Sequence, residues 1–345
     1  MRLLIVKPSS LGDVVHAFAF VNALKAARPE VLIDWLANDM YASFVKCNSN
    51  VEKVWSFKRG GWGKNWASPS TVADVVNLVS WIRREKYDVC LDLQGLLRSG
   101  LFTWFSGAVE KAGFSNAREG AGFFYDKLID PGEKPHAAHK LLCALEMFGV
   151  AEPVRPDFGF TPSVRAVEFV GKLLGEVGIR GKFLVFHSGA RWSTKMWPAE
   201  HWRALAESAT KKFRLPVIFT GSSADSAQVG QIVSGVPGAY NFAGSLGLVE
   251  LSALLQMCFV TVTVDSGPMH ISAAFNKPIV ALFGPTSPEK TGPLTTGPKE
   301  ILRPEGMKCA PCFSRKCSFP VGCMEKITPQ MVESRLERML SFLGH

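Results

Sequence analysis

MRLLIVKPSSLGDVVHAFAF, residues 1–20, sets an apolar run, a Pro-Ser-Ser-Leu-Gly-Asp loop and an amphipathic run in direct succession. Leu3 to Val6 has the unbroken apolar character of a strand buried on both faces. From Asp13 onward, Val14, Phe18, Val21, Leu24 and Ala27 recur at helical spacing until Pro29 stops them. The result is a strand-loop-helix unit of the nucleotide-binding kind with an unusual loop. It contains neither G-x-G-x-x-G nor G-x-x-x-x-G-K-[ST], and it carries a carboxylate, Asp13, where a phosphate loop keeps negative charge away. The loop therefore serves something other than a dinucleotide or a Walker-type phosphate.

The alternation continues outward. VLIDWLA, KVWSF and YDVCLDL read as strands, and TVADVVNLVSWIRRE and LLRSGLFTWF as helices. A second series starts near residue 160, with strands in FLVFH, PVIFTG, FVTVTVD and KPIVALFG and helices between them. Strands alternating with helices predict parallel sheets covered on both faces. The expected fold class is α/β, with two doubly wound Rossmann-like domains. Residues 1–155 form the first and 156–325 the second, joined by the Pro-rich stretch Glu152–Ser163; residues 326–345 form a C-terminal helix packed back on the first domain. In such sheets ligands bind beyond the carboxyl ends of the strands. Two halves facing one another would make a cleft with one ligand per side.

Bulk properties narrow the partners. Of 345 residues, 39 are Lys or Arg and 30 are Asp or Glu, a net charge of +9 that favours an anionic partner such as nucleic acid, an acidic membrane surface or a phosphorylated small molecule. No apolar run is long enough to span a bilayer, and the amino terminus lacks the pattern of a signal peptide. The expected location is cytoplasmic, peripheral to a membrane at most. Cys47, Cys90, Cys143 and Cys258 sit in apolar contexts as packing residues.

Chemistry-bearing residues gather after the strands of the second half. FVTVTVDSGPMH ends a buried strand at Asp265; Ser266 and Gly267 turn the chain into a helix with Pro268 at its start, where exposed amides favour an anion. Asp265 or Ser266 alone would be a helix cap, and His270 alone a packed histidine. FHSGARWSTKMWP holds His187, Ser188, Gly189, Arg191, Ser193, Thr194 and Lys195, a density of donors suited to a diphosphate or simply to a solvated loop. In FTGSSADSAQ, Ser223 and Asp225 meet ribose hydroxyls or cap the next helix. NFAGSLG places Gly244 in a turn suited to a nucleobase.

S-S-L-G-D after the first strand, H-x-G-A-R-x-x-x-K-x-W-P in the middle, and D-S-G-P-M-H followed by P-x-V-A-L-F-G-P-T together resemble the lipopolysaccharide heptosyltransferases, glycosyltransferase family nine. KRGGWGKNW, LDLQGLLRSG and NAREGAGFFYDK are most similar to the heptosyltransferase I branch. The resemblance spans nearly the whole chain. It implies a GT-B fold and an inverting, metal-independent transfer from ADP-L-glycero-β-D-manno-heptose to the Kdo region of lipid A, at the cytoplasmic face of the inner membrane. No cofactor and no nucleic acid enter. By matched position Asp13 is the general base and Lys195 holds the leaving diphosphate. Asp265 holds donor hydroxyls, and Ser266, Gly267 and His270 shape the phosphate side. A carboxylate at a helix start is favoured as an anion and is a weak base, so proton removal must come late; the alternative for Asp13 is a helix cap. Acceptor contacts fall to Ser10, Gly12, Gln94, Arg98 and Arg118, and to Lys58, Arg59 and Lys64 interleaved with Trp62 and Trp66 in a basic-aromatic loop. The chain departs from the expected pattern after Gly221, where Ser222 and Ser223 stand in place of an acid and Asp225 comes later.

Cys309, Cys312, Cys317 and Cys323 form C-x2-C-x4-C-x5-C, a spacing wider in its second half than a zinc ribbon prefers. The expectation is a reduced thiol cluster that stabilises a loop, with structural zinc as the second reading. Competing functions are a nucleotide-sugar epimerase or hydrolase of the same fold, heptosyltransferase II-type acceptor specificity, and a nucleic-acid-binding protein. The basic acceptor loop argues against the first, and the lack of a recognisable motif against the last.

Overall fold

The computed structural model describes residues 1–58 and 68–345. Arg59, Trp62, Lys64 and Trp66 lie outside the described residues. The chain divides into two compact units, Met1–Thr161 and Pro162–His345, so the division falls inside the Pro-rich stretch.

In the first unit β1 (Arg2–Val6), β2 (Leu32–Asn38), β3 (Lys53–Phe57), β4 (Val89–Asp92), β5 (Glu110–Phe114) and β6 (Lys127–Ile129) form one parallel sheet in the order β3-β2-β1-β4-β5-β6. Its helices are α1 (Leu11–Ala27), α2 (Asp39–Val45), α3 (Pro69–Arg84), α4 (Leu97–Phe105) and α5 (Ala137–Leu142). In the second unit β7 (Leu184–His187), β8 (Val217–Thr220), β9 (Ala239–Asn241), β10 (Val260–Val264), β11 (Ile279–Leu282) and β12 (Lys299–Leu302) follow the order β12-β11-β10-β7-β8-β9. Its helices are α6 (Val164–Glu176), α7 (Ala199–Lys211), α8 (Ser226–Val233), α9 (Leu248–Met257), α10 (Gly267–Ala274), α11 (Pro288–Thr291) and α12 (Pro329–Phe342). The winding is the same in both: the first strand of each unit pairs with its second on one side and its fourth on the other. Each sheet therefore has its switch point beside its first strand, β1/β4 and β7/β10, where the crevice for a ligand opens.

Burial explains the layout. Leu3 to Val6 are fully buried, and α1 hides Phe18, Phe20, Val21 and Leu24. The buried Asn22 on α1 donates to the carbonyls of Asp157 and Gly159, 3.0 and 2.9 Å away, tying the end of the first unit along that helix. In the second unit Trp197, Trp202, Phe186 and Phe219 anchor the core. The C-terminal helix departs from expectation. Its apolar stripe, Val332, Leu336, Met339 and Leu340, is spent in the second core rather than on the first domain, and Lys212 after α7 pairs with its Glu333 and Glu337 at 2.9 Å each. The strands β5, β6, β9 and β12 were not expected from the sequence. They are three to five residues long and lack a continuous apolar run, as in EKAGF, KLI, AYN and KEIL.

Candidate functional site

At the switch point of the first sheet, the loops after β1 and β4 are sewn together. The buried Lys7 donates through Nζ to the Leu93 carbonyl at 2.9 Å, and the Ser9 amide donates to Gln94 Oε1 at 3.3 Å. Asp92, at the end of β4, accepts from the amides of Gln94 and Gly95 and from the Tyr125 hydroxyl at 2.7, 3.0 and 2.7 Å. Burial pushes its carboxyl up while these donors pull it down. Gly95, at φ +67, turns the chain so that its carbonyl accepts from the Arg118 amide at 2.9 Å. Ser10, Gln94 and Arg118 thus stand on loops joined at one crevice, with Arg98 in the first turn of α4 beside them. Gly12 lies in the first turn of α1, and Lys58 is exposed one residue past β3.

Asp13 sits half-buried in the first turn of α1. Its Oδ2 accepts both the Ser10 amide, at 2.9 Å, and the Ser10 hydroxyl, at 2.7 Å. This is the carboxylate half of a capping box. Ser10 is the N-cap residue, and Asp13 supports it from the third helical position.

At the switch point of the second sheet, the loops after β7 and β10 are joined by charge. Lys195 Nζ meets Asp265 Oδ2 at 2.6 Å and the Asp265 carbonyl at 3.3 Å, with Asp265 buried. Lys195 also lies 4.8 Å from the ring centroid of Trp192, and the Arg315 guanidinium lies 5.1 Å from that ring. Ser266 caps the extended turn into α10, its hydroxyl 3.2 Å from that of Thr263; Gly267 begins the helix, and His270 is buried within it. Arg191 is exposed, Ser188 is buried, and Thr194 Oγ1 donates to the Ser314 carbonyl at 2.8 Å.

His187 closes β7 and shares a 2.9 Å bond between Nδ1 and Thr220 Oγ1. Burial pushes its imidazole down to about 4, so it is neutral at physiological pH and offers no charge to an anion. Asp225 is the late acid of the sequence, and the turn at 223–225 carries it back to the strand ends. Its Oδ2 accepts the Ser222 amide and hydroxyl, both at 2.7 Å. A side chain placed at Gly189 would come within 2.9 Å of that carboxylate. Gly244, at φ +80, brings the turn before α9 against Ser223, where a Cβ would lie 2.9 Å from the Ser223 Cα.

Sequence reasoning missed Lys7, Thr286, Trp192 and Arg315. Thr286, after β11, is buried, and its Oγ1 has no hydrogen-bond partner among the described residues. Its position in F-G-P-T was the available signal. Lys7 gave the other, a cation directly after a buried strand. The cysteines near the C-terminus are free. Cys309, Cys312, Cys317 and Cys323 line a pocket of about 650 Å³ in the second unit. Among the described residues no group of three or more His, Cys, Asp or Glu side chains is arranged to hold a metal ion, and no helix is long and apolar enough to cross a membrane.

Comparison with known proteins agrees with this layout. Residues 75–321 match glycosyltransferase family 9 (heptosyltransferase). The sequence is 29% identical to lipopolysaccharide heptosyltransferase 1 of Pseudomonas aeruginosa over 99% of this chain and 98% of the relative. It is 28% identical to lipopolysaccharide heptosyltransferase 1 of Escherichia coli over 85% of this chain and 90% of the relative. Among solved structures, E. coli heptosyltransferase WaaC with ADP matches at a TM-score of 0.81 and 24% identity, covering 98% of this chain and 100% of that one. E. coli ADP-heptose lps heptosyltransferase II matches at 0.80 and 22%, covering 100% of both. With two parallel sheets of the same winding and a family match over most of its length, the chain belongs to glycosyltransferase family 9, the heptosyltransferases, and has the GT-B fold of two Rossmann-like α/β domains.

Proposed function

We propose that the chain transfers heptose from ADP-L-glycero-β-D-manno-heptose to the Kdo/inner-core region of lipid A, with inversion and without a metal ion, at the cytoplasmic surface of the inner membrane. The observation that carries this reading is the Lys195–Asp265 pair across the second switch point, a cation and a hydroxyl acceptor at the place where a doubly wound sheet binds its nucleotide. Relatives named as heptosyltransferases, and solved neighbours described with ADP and with an ADP-heptose analogue, support the donor.

In this reading the second unit binds the donor. Lys195 exchanges part of its contact with Asp265 for the diphosphate and stabilises the charge that grows on departing ADP. Asp265 then receives sugar hydroxyls. Ser266, Gly267 and Thr286 meet the phosphates, while Asp225 and Gly244 serve ribose and base. The first unit binds the acceptor through Lys58, Arg98 and Arg118, with Ser10 and Gln94 beside it. The acceptor oxygen attacks the anomeric carbon opposite the leaving group, the bond to the diphosphate oxygen breaks with its electron pair going to ADP, and Asp13 takes the acceptor proton. A carboxylate already holding two donors from Ser10 is a weak base, so the proton moves after bond formation has made the oxygen acidic.

Purified protein with ADP-heptose, with and without Kdo-lipid A, tests the proposal. It predicts acceptor-dependent ADP release that survives EDTA, and an α-linked product by NMR. Turnover without acceptor would point instead to a hydrolase or epimerase. Activity abolished by EDTA and restored by Mg²⁺ or Mn²⁺ would overturn the metal-free mechanism.

A further inference from the structure

The helix α4 has its apolar residues on two sides. The inner side, Ser99, Gly100, Phe102 and Thr103, is buried. Its seat is tight: a Cβ at Gly100 would meet Phe124 at 2.9 Å and Ala121 at 3.2 Å. The outer side repeats the helical period with Leu97, Leu101, Trp104 and Phe105, which are 44%, 37%, 48% and 48% exposed. Beside them the turn at 121–124 presents Phe123, 90% exposed. A helix fixed this firmly cannot rotate its outer stripe inward, and soluble chains rarely leave such a stripe uncovered without a partner for it.

Three features identify the partner. Exposed Arg98 stands on the same helix, and exposed Arg118 is tied through its amide to the Gly95 carbonyl just before it. Of the nearby acids, Asp126 is paired with Lys111 at 3.0 Å and Glu119 accepts the Leu97 amide at 3.2 Å. The Trp104 ring meets Phe124 edge-on, with Lys111 Nζ 5.7 Å from its centroid, the mixture of aromatic and cationic groups that suits a membrane interface. Finally, Leu97, Leu101 and Phe105 also form one wall of a groove of about 630 Å³ between α3 and α4, which ends at Ser9 and Gln94. Those two residues join the loops of the first switch point, so the apolar groove runs from the exposed stripe to the loop that precedes Asp13.

We propose that this outer face of α4, with Phe123, is the surface by which the first unit docks on an anionic lipid bilayer, so that a lipid-linked acceptor enters with its polar end at the Ser9–Gln94 loop. The inference rests on the reading of a lipid-linked acceptor, but its binding test contains no sugar. The intact protein is sedimented with phosphatidylethanolamine/phosphatidylglycerol vesicles and with phosphatidylcholine vesicles. Binding is expected to the anionic vesicles, weakened roughly tenfold or more in Leu101→Glu/Phe105→Glu, at unchanged Tm because both side chains are partly exposed. Trp104 should be quenched by brominated lipid, and Trp104→Phe should lose most of that quenching, a readout that needs no charged variant. With a soluble Kdo acceptor the double variant should turn over like the wild type. Three results would overturn the proposal: wild type left in the supernatant, a double variant that binds vesicles normally, or a wild-type dimer in sedimentation that the double variant dissociates, which would make the face a contact between copies. Loss of transfer to the soluble acceptor in the wild type would instead overturn the enzymatic reading and leave vesicle binding standing.

Discussion

The first and second sheets are wound alike, and each places two loops side by side at its switch point, but the loops are held by different means. In the first unit the ties are hydrogen bonds, Lys7 to the Leu93 carbonyl and Ser9 to Gln94. In the second the tie is an ion pair, Lys195 to Asp265. A second contrast sharpens the first. Ser10–Asp13 and Ser222–Asp225 are the same box, with the carboxylate Oδ2 taking an amide and a hydroxyl three residues back at almost equal distances. Local bonding is therefore no guide to role. What separates the two acids is the crevice each occupies, one after β1 and beside the Gln94 loop, the other after β8 and against Gly189.

The account stands or falls on that division of labour, and the largest expected effect comes from the acid of the first unit. Asp13→Asn keeps an acceptor for Ser10 and removes the base, and transfer should fall by ~10²- to 10⁴-fold. A variant turning over at near-normal rate would leave Asp13 a helix cap and nothing more. Lys195→Ala comes next. Because the ammonium meets the donor in the ground state and meets more charge as ADP departs, saturated turnover should drop by ~10²-fold or more, with weaker ADP binding. Asp225→Asn, the counterpart of the Asp13 change, should show the opposite pattern in steady-state kinetics: donor KM rises several-fold, of the order of a lost charged hydrogen bond, while kcat holds.

Smaller effects probe the same contrast. Arg118→Ala should raise the acceptor KM a few-fold and flatten its salt dependence, because exposed charge contacts are screened within roughly 8 Å at physiological ionic strength. Donor affinity should not respond. The buried His187 offers a test by pH. Its imidazole titrates near 4 in the folded chain against 6.5 in the unfolded one, so the unfolded state binds more protons between those values. The stability it contributes is complete above about 6.5 and is lost as pH falls toward 4. Denaturant unfolding should show the second unit roughly 1–2 kcal/mol less stable at pH 5 than at pH 7, and His187→Gln should remove much of that slope.

The central strands and the loops that follow them were legible in the sequence because buried parallel strands are written as continuous apolar runs, as in Leu3–Val6 and Ile279–Leu282. β5, β6, β9 and β12 were not, since a short strand such as AYN at the sheet edge owes its pairing to its neighbour and carries no period of its own. The C-terminal helix showed its apolar stripe but not its destination, which depends on which core has room. Lys195, Asp265 and the glycine turns were legible as a dense polar motif after a strand. Trp192 and Arg315 were not, because their stack joins segments more than a hundred residues apart, and Thr286 stood out only when its hydroxyl proved buried without a partner among the described residues.

The most direct test is calorimetric titration of ADP-heptose, without acceptor, into Asp13→Asn and Lys195→Ala side by side with the wild type. A donor site confined to the second unit predicts a Kd for Asp13→Asn within about twofold of the wild type and a Kd for Lys195→Ala weakened by roughly tenfold or more. Donor binding lost in Asp13→Asn and retained in Lys195→Ala would contradict the assignment of the two crevices and, with it, the role given to each acid.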